Sequence, residues 1–261
     1  MRSSILTISL SLFSASFAAP TAANCTQALL QSATETYISA QRAGKPLTGT
    51  TAIDYVENDK AASIITGIQS HALKIDHTRS YYDTTTCATY TEIVVADAKT
   101  PYVIGTQLHV DVEGKISSVR SLVTTTGDWL FNATGTLYYT SRESWSVIPV
   151  SDRDSRSVIQ AAADAYLNLF NNKNVVVPWG TPCNRLEGGM YTGKGMPSDS
   201  CNVGVPSGLD LTNRRYVIDE TVGSVDVFLN FGGKTGLPDS HEFRVEKGKL
   251  RFVHTITVQK K

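Results

Sequence analysis

A histidine set among apolar residues is the position in this chain best suited to moving a proton. His254 alternates with Leu250, Phe252, Ile256 and Val258. At the two-residue period of a strand, this places the imidazole on an apolar face. Such a ring is either a core residue satisfied by one or two hydrogen bonds, or a pocket base whose pKa is set by its surroundings. In Arg185-Leu186-Glu187 a cation and a carboxylate share one face, so Glu187 is a second candidate base, or the salt-bridge partner of Arg185. Arg215 and Tyr216 are candidate oxyanion partners, because the arginine fork makes two parallel contacts to oxygen. Only one of Arg214 and Arg215 can share a strand face with Tyr216, and a surface pair at a strand end is the plainer account. His241 shares a face with Phe243 and Val245 but follows an apparent loop, which points to exposure. Trp179 and Tyr191 flank a Gly- and Pro-rich stretch where they either line a pocket mouth or plug the core beneath a loop. Catalysis is therefore expected from Glu187, Arg215, Tyr216 and His254, and substrate binding from Trp179, Arg185, Tyr191 and His241. His77 and His109 are weaker candidates, His109 alternating with Gln107 and Asp111. Asp226 sits opposite Val225, Val227 and Leu229 and is expected to point outward unless that side packs on another unit.

Several chemistries find no support. There is no Ser/His/Asp spacing, nucleophile elbow or metal-ligand motif. Gly188-Gly189 and Gly193-x-Gly195 lack the strand-to-helix setting of a phosphate-binding loop. No cofactor is called for. The 24 basic and 24 acidic residues cancel and form no basic stripe, which argues against a nucleic-acid partner.

The elements that must position these residues occur twice. Gln31-x3-Glu35-x-Tyr37 returns as Gln160-x3-Asp164-x-Tyr166, Tyr55-Val56-Glu57-Asn58 as Arg185-Leu186-Glu187-Gly188, and Gly114-Lys115-Ile116-x2-Val119 as Gly248-Lys249-Leu250-x2-Val253. Three echoes in one order at a nearly constant offset indicate duplication of one α+β unit, at a period far above the roughly 20–50 residues of a solenoid repeat. Each half opens with a helix: Leu29, Ala33, Tyr37 and Ala40 before Gly44, then Ile159, Ala162, Ala163, Tyr166, Leu167 and Phe170, with start signals at Asp152, Asp154 and Ser155 and a stop at Pro178. A further short helix is expected over 59–69. Strands are expected over 88–95, 102–112 and 116–123, then over 215–219, 224–231, 242–246 and 250–258, with a further one at 136–139. Helices followed by antiparallel strands are the pattern in which helices cover one face of a curved sheet. The expected organisation is a first unit over 20–126, a connector over 127–154 and a second unit over 155–261.

Residues 1–19 have the form of a secretory leader. Arg2 is the charged start, 5–17 an apolar run, and Ser16-Phe17-Ala18 supplies small residues for cleavage. The run is shorter than the roughly 20 apolar residues a membrane helix needs. Residence in the secretory lumen or outside the cell is expected. Four cysteines in an oxidising compartment pair. Of the three connectivities, Cys25–Cys87 with Cys183–Cys201 puts one bridge in each half. Asn24-Cys25-Thr26 and Asn132-Ala133-Thr134 are N-glycosylation acceptors, of which the second stands clear of the cleavage site and of a cysteine.

This order of elements resembles the nuclear-transport-factor-2-like fold, also called SnoaL-like or ketosteroid-isomerase-like. The stretches Lys74-Ile75-Asp76-His77, 127–132 (Gly-Asp-Trp-Leu-Phe-Asn), 177–183 (Val-Pro-Trp-Gly-Thr-Pro-Cys) and 213–217 (Asn-Arg-Arg-Tyr-Val) are similar to a family of secreted fungal proteins of that fold. The resemblance implies two tandem cones, each with a curved antiparallel sheet under helices, packed as a pseudo-dimer in a monomer or as part of a homodimer. It also implies a cofactor-independent acid/base cyclase or isomerase acting on a small secondary metabolite, with dimerising cyclisation of maleic-anhydride monomers as the specific expectation. The alternative is a non-catalytic secreted binding or interaction protein, because the fold hosts both. The catalytic sets of the enzymes of this fold have no unambiguous counterpart here.

Overall fold

The computed structural model describes residues 25–47, 53–111 and 113–259. The leader and Asn24 lie outside the described residues. Helix α1 (Gln27–Ala43) starts where the Thr26 side chain accepts from Leu29 N and ends at Gly44, whose φ of 60° suits a residue without Cβ. Its buried stripe of Leu30, Ala33, Thr34, Tyr37 and Gln41 lies on a sheet. That sheet comprises β1 (Asp54–Glu57), β2 (Lys60–Ala61), β3 (His77–Asp83), β4 (Ala88–Val95), β5 (Tyr102–Val110) and β6 (Ile116–Thr124), in the order β2-β1-β6-β5-β4-β3. Helix α2 (Ala133–Thr140) belongs to the connector, and α3 (Arg156–Leu169) opens the second unit. The second sheet comprises β7 (Trp179–Glu187), β8 (Met190–Tyr191), β9 (Leu211–Asp219), β10 (Ser224–Phe231), β11 (Leu237–Glu246) and β12 (Lys249–Thr257), in the order β8-β7-β12-β11-β10-β9.

The two sheets have one topology. Both are antiparallel except at β1–β6 and β7–β12, which are parallel. The register fixes the equivalences. Glu57 lies opposite Ser121 and Glu187 opposite Thr255. Thr106 lies opposite Ser121 and His241 opposite Thr255. Both cysteine pairs form as expected, Cys25–Cys87 and Cys183–Cys201, which fits an oxidising, secretory-type environment. Among the described residues no helix is long and apolar enough to cross a membrane.

Each unit buries a core between its helix and the concave face of its sheet. The opposite sheet faces pack on each other through Tyr81, Tyr90, Val103, Leu122, Val217, Phe228 and Ile256. The contact is reciprocal, as in a two-fold dimer. Asp83 Oδ2 accepts from Ile218 N (3.0 Å), and its counterpart Asp219 Oδ2 accepts from Tyr82 N (2.9 Å). Arg156 adds a two-pronged contact to Asp83, at 2.7 Å on each oxygen.

Three expectations are corrected. Residues 136–139 are helical, part of α2, because the Asn132 side chain accepts from Gly135 N and caps the segment. The stretch 59–69 holds β2 and a 3-10 turn (Ile68–Ser70), because Glu57 takes Ile68 N with its carboxylate and bends the chain back. Strand β3 was not expected, since its polar run His77-Thr78-Arg79-Ser80 lacks an apolar alternation. These four residues are half-buried, and Arg79 among them reaches Glu242 of the other unit instead of facing water.

Candidate functional site

The concave face of the second sheet encloses a cavity of about 450 Å³. Tyr166 of α3 and Phe170 at its C-terminal cap form one wall, and Arg185 and Glu187 of β7 another. The floor is His241, Thr255 and Thr257, and Trp129 and Leu130 of the connector form the rim. Leu209, Phe231 and Leu237 make the rest largely apolar. Few polar groups converging in an apolar hollow is the usual form of a small-molecule site.

Strand alternation positions the acid/base group. On β11 the residues Asp239, His241, Phe243 and Val245 share the concave face. His241 is 3% exposed, so the expectation of exposure is corrected: residues 237–241 are already strand. His241 Nδ1 lies 2.5 Å from Asp239 Oδ2, and Asp239 Oδ1 accepts from Thr257 Oγ1 at 2.5 Å. A carboxylate at Nδ1 fixes the proton there and leaves the lone pair of the neutral ring on Nε2. Among the described residues Nε2 has no hydrogen-bond partner, and the ring lines the cavity. Aspartate, histidine and an open Nε2 together have the geometry of a general base.

Arg185 lies beside this dyad. Its Nη2 donates to Glu187 Oε2 (2.9 Å) and its Nη1 to Val203 O (2.7 Å), while its buried Nε has no partner. Glu187 Oε1 accepts from Trp129 Nε1 at 2.8 Å, which ties the rim to the guanidinium. Burial raises the Tyr166 phenol to about 12, the Arg185 charge opposing that rise. The phenol therefore stays protonated and able to donate.

The other expected residues are elsewhere. A bulge on β12 between Leu250 and Phe252 turns Phe252, His254 and Ile256 away from the cavity, Phe252 onto Trp145 of the connector and Ile256 into the contact between the sheets. There His254 Nε2 pairs with Glu143 Oε2 at 2.7 Å, and its Nδ1 lies 3.1 Å from Arg79 Nη2. Burial disfavours the charged ring, but Glu143 and Glu92 outweigh it and hold the pKa near 9. Glu92, Glu242 and His254 could by type and spacing ligate a metal. Arg79 already supplies the cation, pairing with Glu242 (2.6 Å) and Glu92 (3.3 Å). Arg215 bonds Asp59 of the first unit at 2.8 Å, and Tyr216 bonds Asp164 on α3 at 2.7 Å. Arg214, not Arg215, shares the face of Tyr216, since both reach Asp164. Trp179 packs edge-on against Tyr166 outside the lining. Tyr191 stacks on Tyr139 at 4.2 Å and borders a separate polar cleft. Asp226 is fully buried between the units, bonded to Gln107 and Ser240, because the outward sheet face is the contact face.

A family model described as a domain of unknown function (DUF8021) matches residues 152–257, the unit that contains the cavity. No curated protein matches the chain.

Of the expected site residues, Arg185, Glu187 and His241 are thus brought together, while His254, Arg215, Tyr216, Trp179 and Tyr191 are not. Sequence reading missed Asp239, Tyr166 and Trp129 as site residues. The signal for the first was present: Leu237, Asp239, His241, Phe243 and Val245 alternate on one face, flanked by apolar residues.

Proposed function

We propose that the protein is a secreted, nuclear-transport-factor-2-like acid/base enzyme that needs no cofactor and acts on a small, largely apolar metabolite in the cavity of the second unit. The single observation that carries this reading is the buried Asp239–His241 pair with Nε2 open to an apolar hollow beside Arg185. In the reaction, His241 Nε2 takes a proton from carbon next to a carbonyl. The electron pair moves onto the carbonyl oxygen, where Arg185 and the Tyr166 hydroxyl offset the developing charge. Return of the proton at another carbon is isomerisation. Attack of the carbanion on the carbonyl carbon of a second molecule joins the two, the proton on His241 passing to the new alkoxide oxygen, and a second such bond within the joined molecule closes a ring. Dimerising cyclisation of maleic-anhydride monomers is the specific member of this class favoured by the resemblance. His254, Arg215 and Tyr216, which the sequence nominated for catalysis, have structural roles in this account.

A second reading rests on the Arg185–Glu187 pair. The guanidinium is already largely neutralised, as suits a carrier for an uncharged ligand. Metabolite profiling of the producing strain with and without the gene separates the two. Loss of one product with build-up of its precursor is expected for the enzyme. An unchanged product set, with the protein expressed, supports the carrier.

A further inference from the structure

We propose that Asn132 is N-glycosylated and that its glycan stands at the rim of the second unit's cavity and slows entry to it. The acceptor triplet Asn132-Ala133-Thr134 is exposed at both Asn132 and Thr134. The Asn132 side chain is engaged only through Oδ1, which accepts from Gly135 N at 2.9 Å. Among the described residues no hydrogen bond holds Nδ2. The amide oxygen persists when Nδ2 is substituted, so the cap of α2 and the glycan are compatible. In the transfer, the Nδ2–C1 bond forms and the C1–oxygen bond of a lipid-pyrophosphate-linked oligosaccharide breaks. Nδ2 loses a proton, and the lipid pyrophosphate leaves. The two disulfides fit the compartment in which that donor is found.

The backbone fixes where the glycan stands. Asn132 N donates to Gly188 O at 2.6 Å, one residue beyond Glu187 of the cavity wall. A Cβ on Gly189 would lie 2.4 Å from Asn132 O, so the two segments meet too closely for any side chain there. On the other side, Leu130 of the rim is two residues away. The attachment point is therefore held between two segments that edge the cavity, and a bulky, hydrated chain leaving it limits approach.

The modification and its effect on access are separable. The first is read by peptide mass mapping of protein from a eukaryotic secretory host. The Asn132 peptide is expected to carry hexose-rich glycan mass, which Thr134→Ala removes while keeping the Asn132 cap. An unmodified Asn132 peptide overturns the proposal. The second rests on the cavity being the binding site. Stopped-flow binding of 1-anilinonaphthalene-8-sulfonate is expected to be several-fold faster for Thr134→Ala, with little change in dissociation. Equal association rates overturn the screening role. Absence of probe binding in both proteins counts against the cavity as a site, and so against screening, while the mass map still decides the modification.

Discussion

The two units share a topology and differ in what their concave faces hold. In the second, Tyr166, Arg185, Glu187 and His241 border a cavity. At the matching places in the first are Tyr37, Tyr55, Glu57 and Thr106. Tyr37 bonds Thr106 (2.8 Å), which bonds Ser121 (2.9 Å). Tyr55 donates to Glu57 (2.8 Å), and that carboxylate also takes Ile68 N, drawing Ile68 into a core with Leu47 and Leu73. At these places the first unit bonds its polar groups to one another and packs Ile68, Leu47 and Leu73 beside them. The second leaves His241 Nε2 open. One unit is packed where the other has a hollow, and the difference rests on a few side chains rather than on the fold.

The largest expected effect is on turnover. Asp239→Asn removes the carboxylate that sets the His241 tautomer and should lower turnover by about 10²-fold or more, measured as product formed in the producing strain. Substituting the matching first-unit residue, Ile104→Val, should leave turnover unchanged. Equal losses would erase the functional distinction between the units.

The next effect is on the seam between them. Arg79→Ala leaves Glu92 and Glu242 buried without their cation, and should cost about 3–5 kcal/mol in chemical unfolding. Arg215→Ala breaks a bridge about a quarter exposed at each partner and should cost under about 1 kcal/mol. Ile68→Ala should cost about 2–5 kcal/mol, overlapping Arg79→Ala and well above Arg215→Ala, and should open in the first unit a hollow like the one already present in the second. No loss of stability would mean that Ile68 is not what fills it.

The seam also has a pH signature. The folded-state pKa of His254, near 9, is above its ordinary 6.5. Its contribution is therefore complete below about pH 6.5 and lost as pH rises through about 9. Unfolding midpoints from pH 6 to 10 should fall over that window, and the fall should be shallower in His254→Gln. A midpoint flat to pH 10 would contradict a charged His254.

The duplication, both long helices and the later strands were legible because their signals are local. Gly114 and Gly248 mark the same hairpin, and Tyr37 and Tyr166 the same helical turn. Strand β3 and the seam were not legible, because Arg79, Glu92, Glu242 and His254 are polar residues whose burial depends on the other half of the chain. The misplacement of His254 has a sharper cause. A one-residue irregularity after Leu250, where β12 runs one residue longer than β11, reverses the faces of everything that follows, and no composition rule announces it. His241 is expected to be exposed because it follows an apparent loop, and the pairing that makes 237–241 strand lies on β10 and β12.

The most direct test of the central claim is to place His241→Gln, and separately Thr106→Val, in the producing strain and to quantify product and precursor by mass spectrometry alongside the level of folded protein. Loss of product with His241→Gln at an unchanged protein level, and normal product with Thr106→Val, is the predicted result. Normal product with His241→Gln would contradict the assignment of function to the second unit's cavity.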